Sequence, residues 1–353
     1  MVIFRTTPAR ENLFVNPDAR IAQEGTSFAA IAHGTYSLDG WEYLKVGTMV
    51  HTVSQDTDTP TVAQLGYNSP FSIKADCTTA DASMAAGDLC SLVQNLEGNF
   101  VSKLFEKPFV IRFWHKHTKT GTHSVSVSNG GADRSFVREY TQSVSDTWEE
   151  AILYFDASPS AGTWYSDEQL GFRISWALAS GTTFSTTADA WNTGNFTSSD
   201  NQVNNCDSVS NNFLINSPCI YAGTDNRSYY SPPFEQQLNY CERYFEKSYD
   251  FGTAPGTATG TGSNYSYILG TFYTTQDTLY YRTPKRVAGT VTIYNTNDGT
   301  AAQYSSHNAA GTFQANRTAA AFLTSEKQYK LSLSGTGVGG EYAYHQFTAD
   351  ARL

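Results

Sequence analysis

Long apolar runs are missing from this chain. No stretch approaches the ~18–20 apolar residues that a membrane-crossing helix needs, so insertion into a membrane is not expected. Charge is scarce too: Asp, Glu, Lys and Arg make up 16% of the chain, against about 25% in ordinary soluble proteins. What charge there is runs acidic, at −10 overall. A negative surface repels phosphate backbones and anionic lipid, which excludes a nucleic-acid binder or a basic membrane-surface protein. The five cysteines (Cys77, Cys90, Cys206, Cys219 and Cys241) are odd in number and include no Cys-x-x-Cys. This argues against a disulfide framework or a zinc ribbon. The thiols are expected to be reduced and mostly buried, in a chain folded in a cytoplasm. The opening residues lack the apolar core of a secretion signal.

Aromatics, Thr and Val are what the chain does have. Aromatic residues reach 14%, with 22 Tyr and 21 Phe. Such residues favour strands, and their abundance argues against disorder. Its 353 residues suffice for about two to three domains of roughly 150 residues. Period-2 alternation recurs at Val110–His115, Ser124–Ser128, Ala151–Phe155, Phe172–Trp176, Asn212–Asn216, Thr290–Tyr294 and Tyr329–Leu333. Gly, Asn, Asp and Ser clusters separate these runs. Short strands of this kind predict an antiparallel sandwich or barrel with one wet face per sheet.

Two segments admit a helix. From Ser231 to Lys247, apolar residues fall at Phe234, Leu238, Cys241 and Phe245. That spacing predicts one helical stripe, with Ser231 as cap and Pro232 at the first position. Leu89 to Leu96 fits a helix or a strand equally. The Gly252–Gly262 stretch has no large apolar residue and reads as a connector.

Signatures of catalysis are few. Gly335-Thr-Gly-Val-Gly-Gly340 matches G-x-G-x-x-G, but a strand-like run follows it instead of a helix, so a hairpin loop is the reading. His115, His117 and His123 can share one side of a strand pair, where three imidazoles suit zinc. The expectation is instead a solvated strand face. Glu149/Glu150 and Asp167/Glu168 are adjacent, so alternation points each pair to opposite faces and no acid/base couple results. The chain is not expected to be an enzyme, and no cofactor is implied. Calcium is possible through Asp18 and Asp39, although aspartates in loops usually cap turns. Aromatics beside Gly/Ser/Asn-rich loops suit the faces of sugars. Trp164, Trp191, Tyr229 and Tyr294 are the candidate binding residues, and Trp191→Ala or Tyr294→Ala should lose binding.

Several motifs occur in a shared order across nearly the whole chain. They are Asn12-Leu-Phe-Val-Asn-Pro-Asp-Ala-Arg-Ile-Ala-Gln-Glu-Gly-Thr26, Tyr36-Ser-Leu-Asp-Gly-Trp41, Gln94-Asn-Leu-Glu97, Lys107-Pro-Phe-Val-Ile-Arg-Phe-Trp114, Arg138-Glu-Tyr-Thr141, Asp146-Thr-Trp-Glu149, Gly162-Thr-Trp164, Cys241-Glu-Arg-Tyr-Phe-Glu-Lys247, Arg282-Thr-Pro-Lys285 with Val291-Thr-Ile-Tyr294, and Phe347-Thr-Ala-Asp-Ala-Arg-Leu353. Together they resemble a set of bacteriophage fibre and spike virion proteins. The opening departs from that set, with Pro-Asp for Gly-Asp and Glu24 for the usual Arg.

The resemblance implies an all-β fold: a jelly-roll β-sandwich body similar to carbohydrate-binding modules, then a short helix and a smaller C-terminal β domain. It makes Leu92–Glu97 a strand. The boundaries it suggests are an N-terminal virion anchor over 1–12 with Phe4, Arg5 and Pro8, the jelly roll over 13–232, a bridging helix and Gly/Thr linker over 233–263, and a distal β domain over 264–353. It implies a structural subunit of a virion fibre or spike, on head or tail, assembled in the host cytoplasm. The expected partners are itself as a homotrimer, capsid or tail proteins through the N-terminus, and a host-surface glycan. The alternatives are a lectin-like module outside a virion and a polysaccharide depolymerase.

Overall fold

The computed structural model describes residues 12–224, 227–268, 276–333 and 340–353. The anchor residues Phe4, Arg5 and Pro8, and most of the Gly335–Gly340 motif, lie outside them. The chain divides into two compact units. One is built mainly from residues 26–234 with the segment before Arg20, the other mainly from residues 235–352 with Ile21–Gly25. The boundary thus falls at Phe234, and the Gly252–Gly262 stretch belongs to the second unit.

The first unit is a jelly-roll-type β-sandwich. One sheet runs in the order Ser27–Phe28, Val50–Asp56, Ser72–Thr79, Asn212–Ala222, Phe109–His117, Glu149–Phe155. The other runs Trp191–Thr193, Arg134–Gln142, Gly121–Asn129, Leu170–Ser180, Leu89–Glu97, Trp41–Val46, Thr35–Tyr36. Pairing within both sheets is antiparallel, and the chain crosses repeatedly from one sheet to the other. Alternating apolar side chains fill the space between. Trp176 lies 5.2 Å from Trp41, 5.6 Å from Phe14 and 5.8 Å from Phe113, and Phe109 stacks on Phe155 at 4.9 Å. Buried rings of this size contribute most of the apolar area a sandwich removes from water.

Three of the sequence motifs meet at this core. Phe14 of the first packs on Trp176. The side-chain amide of Gln94 donates to the Val15 carbonyl and accepts from its N–H. The Trp41 indole donates to the Asn16 carbonyl at 3.2 Å. The opening segment is thereby held against the sheet by a side chain that pairs with it as another strand would.

Leu89–Glu97 is a strand, buried at every residue. Burial on both faces is why its periodicity is ambiguous. It also corrects the expectation of a wet outer face. Ser124, Ser126 and Ser128 point away from the core yet are buried. The segment around Ser198–Ser199 lies over Ser124, with the Ser199 N–H donating to Ser124 Oγ at 3.0 Å. Serines satisfied in this way are read from sequence as solvent-facing.

The second unit is organised on one strand, Glu341–Asp350. It pairs antiparallel with Phe245–Lys247, Asn264–Ile268, Thr290–Asn295 and Gln303–His307. Phe313–Phe322, Gln328–Leu333 and Gln276–Tyr280 extend the sheet. Tyr281, Ile293, Tyr304, Tyr329, Leu331, Ala343, Phe347 and Ala349 form its core. The helix is shorter than its stripe suggests, covering Phe234–Glu242, after which Phe245–Lys247 is a strand. Ser231 does not cap it but donates to Asp18 at 2.9 Å. The helix's buried residues are Gln237, Cys241 and Glu242, not the whole apolar stripe.

Candidate functional site

Alternation along two strands of the second unit builds an aromatic strip. Residues two apart on a strand share a face, so Tyr265 and Tyr267 project together, as do Tyr342 and Tyr344. The register then sets Tyr265 opposite Tyr344 and Tyr267 opposite Tyr342. On the far side of that strand, His307 lies opposite Tyr342, and Phe313 lies opposite His307. The rings run in near-contact: Tyr267–Tyr342 at 5.2 Å, Tyr265–Tyr344 at 5.9 Å, His307–Tyr344 at 4.8 Å and His307–Phe313 at 5.8 Å. Tyr265 is 66% exposed, Tyr267 46% and Phe313 40%. Exposed Thr312 and Gln314 flank the Phe313 end. Contiguous exposed apolar rings with a polar border mark an interaction surface.

Further along the same face of Glu341–Asp350 lies a groove of about 480 Å³. It is lined by Thr290, Thr292, Tyr294, Thr348, Asp350 and Arg352, with Glu24, Phe245 and Pro255. Tyr294 sits opposite Gln346 in the register. The Arg352 guanidinium lies 4.7 Å from the Phe245 ring centroid and donates to Asp350 at 3.0 and 2.5 Å and to Glu24. These hydrogen bonds hold it charged, well above the usual arginine value, although burial opposes this. Between groove and strip, Gln346 donates to the Thr261 carbonyl at 2.7 Å.

The four candidate rings fare differently. Tyr294 lines this groove, half-buried. Trp164 and Trp191 come together in the first unit, 5.6 Å apart and edge-on. Each indole donates to a backbone carbonyl, of Ala161 and Asp156 respectively. Phe105 and Phe172 pack on Trp164, and Phe136 on Trp191, so the pair closes one end of the sandwich's aromatic core. Tyr229 is corrected outright. At 6% exposure it is packed with Val110, Cys219 and Tyr221, with Tyr67 against it, and it offers no ring face. The exposed ring is its neighbour Tyr230, at 69%.

The histidines are corrected as well. His115, His117 and His123 do converge, with His117 and His123 stacked at 3.6 Å, but all three are buried in the core. Alternation placed them on one face, and that face points inward. Burial pushes His115 and His123 down to about 4. They are not among the described groups whose donor atoms are close enough to share an ion.

The remaining polar candidates have structural partners. Glu150 pairs with Arg112, Glu149 accepts from the N–H groups of Ser143 and Val144, and Asp167 accepts from the Gln169 N–H. Asp18 pairs through Oδ2 with Arg20 at 2.6 Å.

The signal for the aromatic strip was present in sequence as two Tyr-x-Tyr pairs. What brings them side by side is the strand register, which sequence does not show.

No family model matches the sequence, and neither does any curated protein. Solved structures with likeness to it include a protein of Bacteroides thetaiotaomicron provisionally named for sugar binding, 13% identical over 60% of this chain and 100% of that one, TM-score 0.36. Another is the family 11 carbohydrate-binding module of Clostridium thermocellum with a mixed-linked tetrasaccharide, 9% identical over 57% and 99%, TM-score 0.32. A third is the module TmCBM61 with galactotriose, 11% identical over 60% and 99%, TM-score 0.29. At such TM-scores the likeness says nothing of what this chain binds.

Proposed function

We propose that this chain is a glycan-binding adhesive protein whose contact surface is the aromatic strip Tyr265, Tyr267, Tyr342, Tyr344, His307 and Phe313. The observation that carries this reading is the strip itself: flat rings, left exposed in a row, on the outside of a regular sheet. Sugars present apolar C–H faces edged by hydroxyls. Rings edged by hydroxyl and amide groups match both features. The groove beside it supplies three threonine hydroxyls and a carboxylate-held guanidinium, suited to hydroxyl-rich ligands.

The order of the sequence motifs supports a further step, that the protein is a subunit of a phage fibre or spike and acts there as a homotrimer. A lectin-like role outside a virion uses the same surface. A depolymerase is less well supported, since Glu24 and Asp350 in the groove are both engaged by Arg352.

Binding to a panel of bacterial surface polysaccharides, followed by calorimetry, tests the adhesive reading. Tyr265→Ala and Tyr344→Ala should each weaken binding about tenfold, or ~1.4 kcal/mol, with the far-ultraviolet spectrum unchanged. Unaltered affinity in both would remove the strip from the function. Tracing the chain in cryo-electron micrographs of purified particles, three copies about one axis, tests the fibre reading. Absence from any particle would leave the lectin-like role.

A further inference from the structure

Three residues from distant parts of the sequence meet inside the sandwich of the first unit. His51 comes from Val50–Asp56, Cys90 from Leu89–Glu97 and Cys206 from the segment before Asn212–Ala222. All are at most 1% exposed. One donor atom from each lies within 4.8 Å of the others, and no other such group of three occurs among the described residues. Cys90 Sγ is 3.8 Å from His51 Nδ1, and Cys206 Sγ is 3.9 Å from His51 Nε2.

Tyr43 completes the arrangement. Its hydroxyl lies 2.7 Å from His51 Nδ1 and 3.2 Å from Cys90 Sγ, and its ring is fully buried. With Nδ1–H donating to the Tyr43 oxygen, and the Tyr43 O–H donating to Cys90 Sγ, the Nε2 lone pair is left facing Cys206. Metal-bound histidines are usually oriented through their second nitrogen in this way.

We propose that His51, Cys90 and Cys206 form a buried zinc(II) site with three protein ligands. Zinc favours thiolate and imidazole donors, at ~2.3 and ~2.0–2.1 Å, and those bond lengths place neighbouring ligand atoms under 4 Å apart. Cys206 Sγ and His51 Nε2 already meet this at 3.9 Å, and the three donors, within 4.8 Å, need close by less than about 1 Å. Charge selects the ion. On binding, the Cys90 and Cys206 S–H bonds ionise and release two protons to solvent. Two thiolates, a neutral imidazole and Zn²⁺ then sum to zero, which an apolar core tolerates. A monovalent soft cation on the same ligands would bury a net negative charge, a costly state. No electron is transferred in this step. Cys77 lies beside the cluster, its Sγ 4.0 Å from the Cys206 carbonyl, and it remains a thiol bonded to the Thr79 carbonyl.

The test uses the full chain produced in zinc-supplemented medium, with metal counted by mass spectrometry. About one zinc per chain is expected, lost in Cys206→Ser and His51→Gln but kept in Cys219→Ser. Tyr43→Phe should weaken zinc affinity roughly 10–100-fold, as loss of an orienting partner does. Should the ligand variants fail to fold, cobalt(II) loading of the unmodified chain decides, through its thiolate charge-transfer absorption and tetrahedral visible bands. A chain that takes up neither ion, or a Cys90–Cys206 disulfide found by mass analysis, would overturn the proposal.

Discussion

Lys285 and Glu246 form an ion pair sealed from water. Nζ lies 2.6 Å from Oε2, and the two side chains are 0% and 1% exposed. Lys285 also donates to the carbonyls of Glu242 and Thr283, so its three protons all have acceptors. Burial pushes its ammonium down from the ordinary lysine value while Glu246 opposes the shift. Glu246 accepts in addition from the Arg282 N–H at 2.9 Å. The motifs Cys241–Lys247 and Arg282–Lys285 therefore meet as one buried network. Their role in the second unit is structural.

Removing one partner from such a pair leaves an uncompensated buried charge. Lys285→Met or Glu246→Gln should cost roughly 3–5 kcal/mol. Differential scanning calorimetry should show the second unit's transition lowered in each variant.

Acid should loosen both units before general unfolding. Burial sets His115, His123 and His345 at about 4, below the value of about 6.5 they regain in the unfolded chain. Unfolded chains then bind more protons below pH 6.5, so stability is full above that pH. It declines as pH falls from about 6.5 to about 4. Each histidine accounts for up to about 1.4 kcal/mol per pH unit in this window. Urea midpoints measured across it should fall steadily, and His345→Gln should flatten the slope for the second unit.

Trp164 and Trp191 pack against each other and against Phe105, Phe172 and Phe136, so their loss is expected to act first on the fold. Alanine at either position should lower the first unit's melting temperature, by a few kcal/mol in free energy. On the proposed adhesive role, in which the tyrosine strip is the contact surface, polysaccharide affinity should be unchanged. A drop in affinity without loss of stability would reverse these roles.

Gly130 has no room for a side chain. A Cβ there would lie 1.8 Å from the Leu170 carbonyl oxygen and 2.5 Å from the Tyr165 ring. Gly130→Ala must move backbone and should cost about 1–3 kcal/mol or more, read as a lowered urea midpoint for the first unit.

Much of the sandwich was legible in sequence because alternation survives wherever apolar residues face the core. Val110–His115 and Ser124–Ser128, within the strands Phe109–His117 and Gly121–Asn129, read as strands for that reason. The same rule misplaced the polar residues on those strands. His115 and His117 share the inward face with Phe113, and Ser124 shares the outward face that a later segment covers. Polarity reports solvent only where no chain returns to cover it. The cluster at His51, Cys90 and Cys206 was invisible for another reason. Its members carry no spacing signature, since long-range strand pairing alone assembles them. Tyr229 and Tyr230 could not be told apart without knowing which ring the fold tucks against Val110.

The strand Glu341–Asp350 lies at the centre of the second unit's sheet, yet it follows every one of its partners in sequence. On the ribosome, Phe245–Lys247, Asn264–Ile268 and Thr290–Asn295 emerge with no template to join, whereas Gln303–His307 can pair at once with Phe313–Phe322. Their edges wait, open to mispairing, until that strand arrives. Folding of this unit is therefore a late and concerted event with high contact order. A nascent chain released before residue 341 should be a client for chaperones and should not accumulate as a partly built domain.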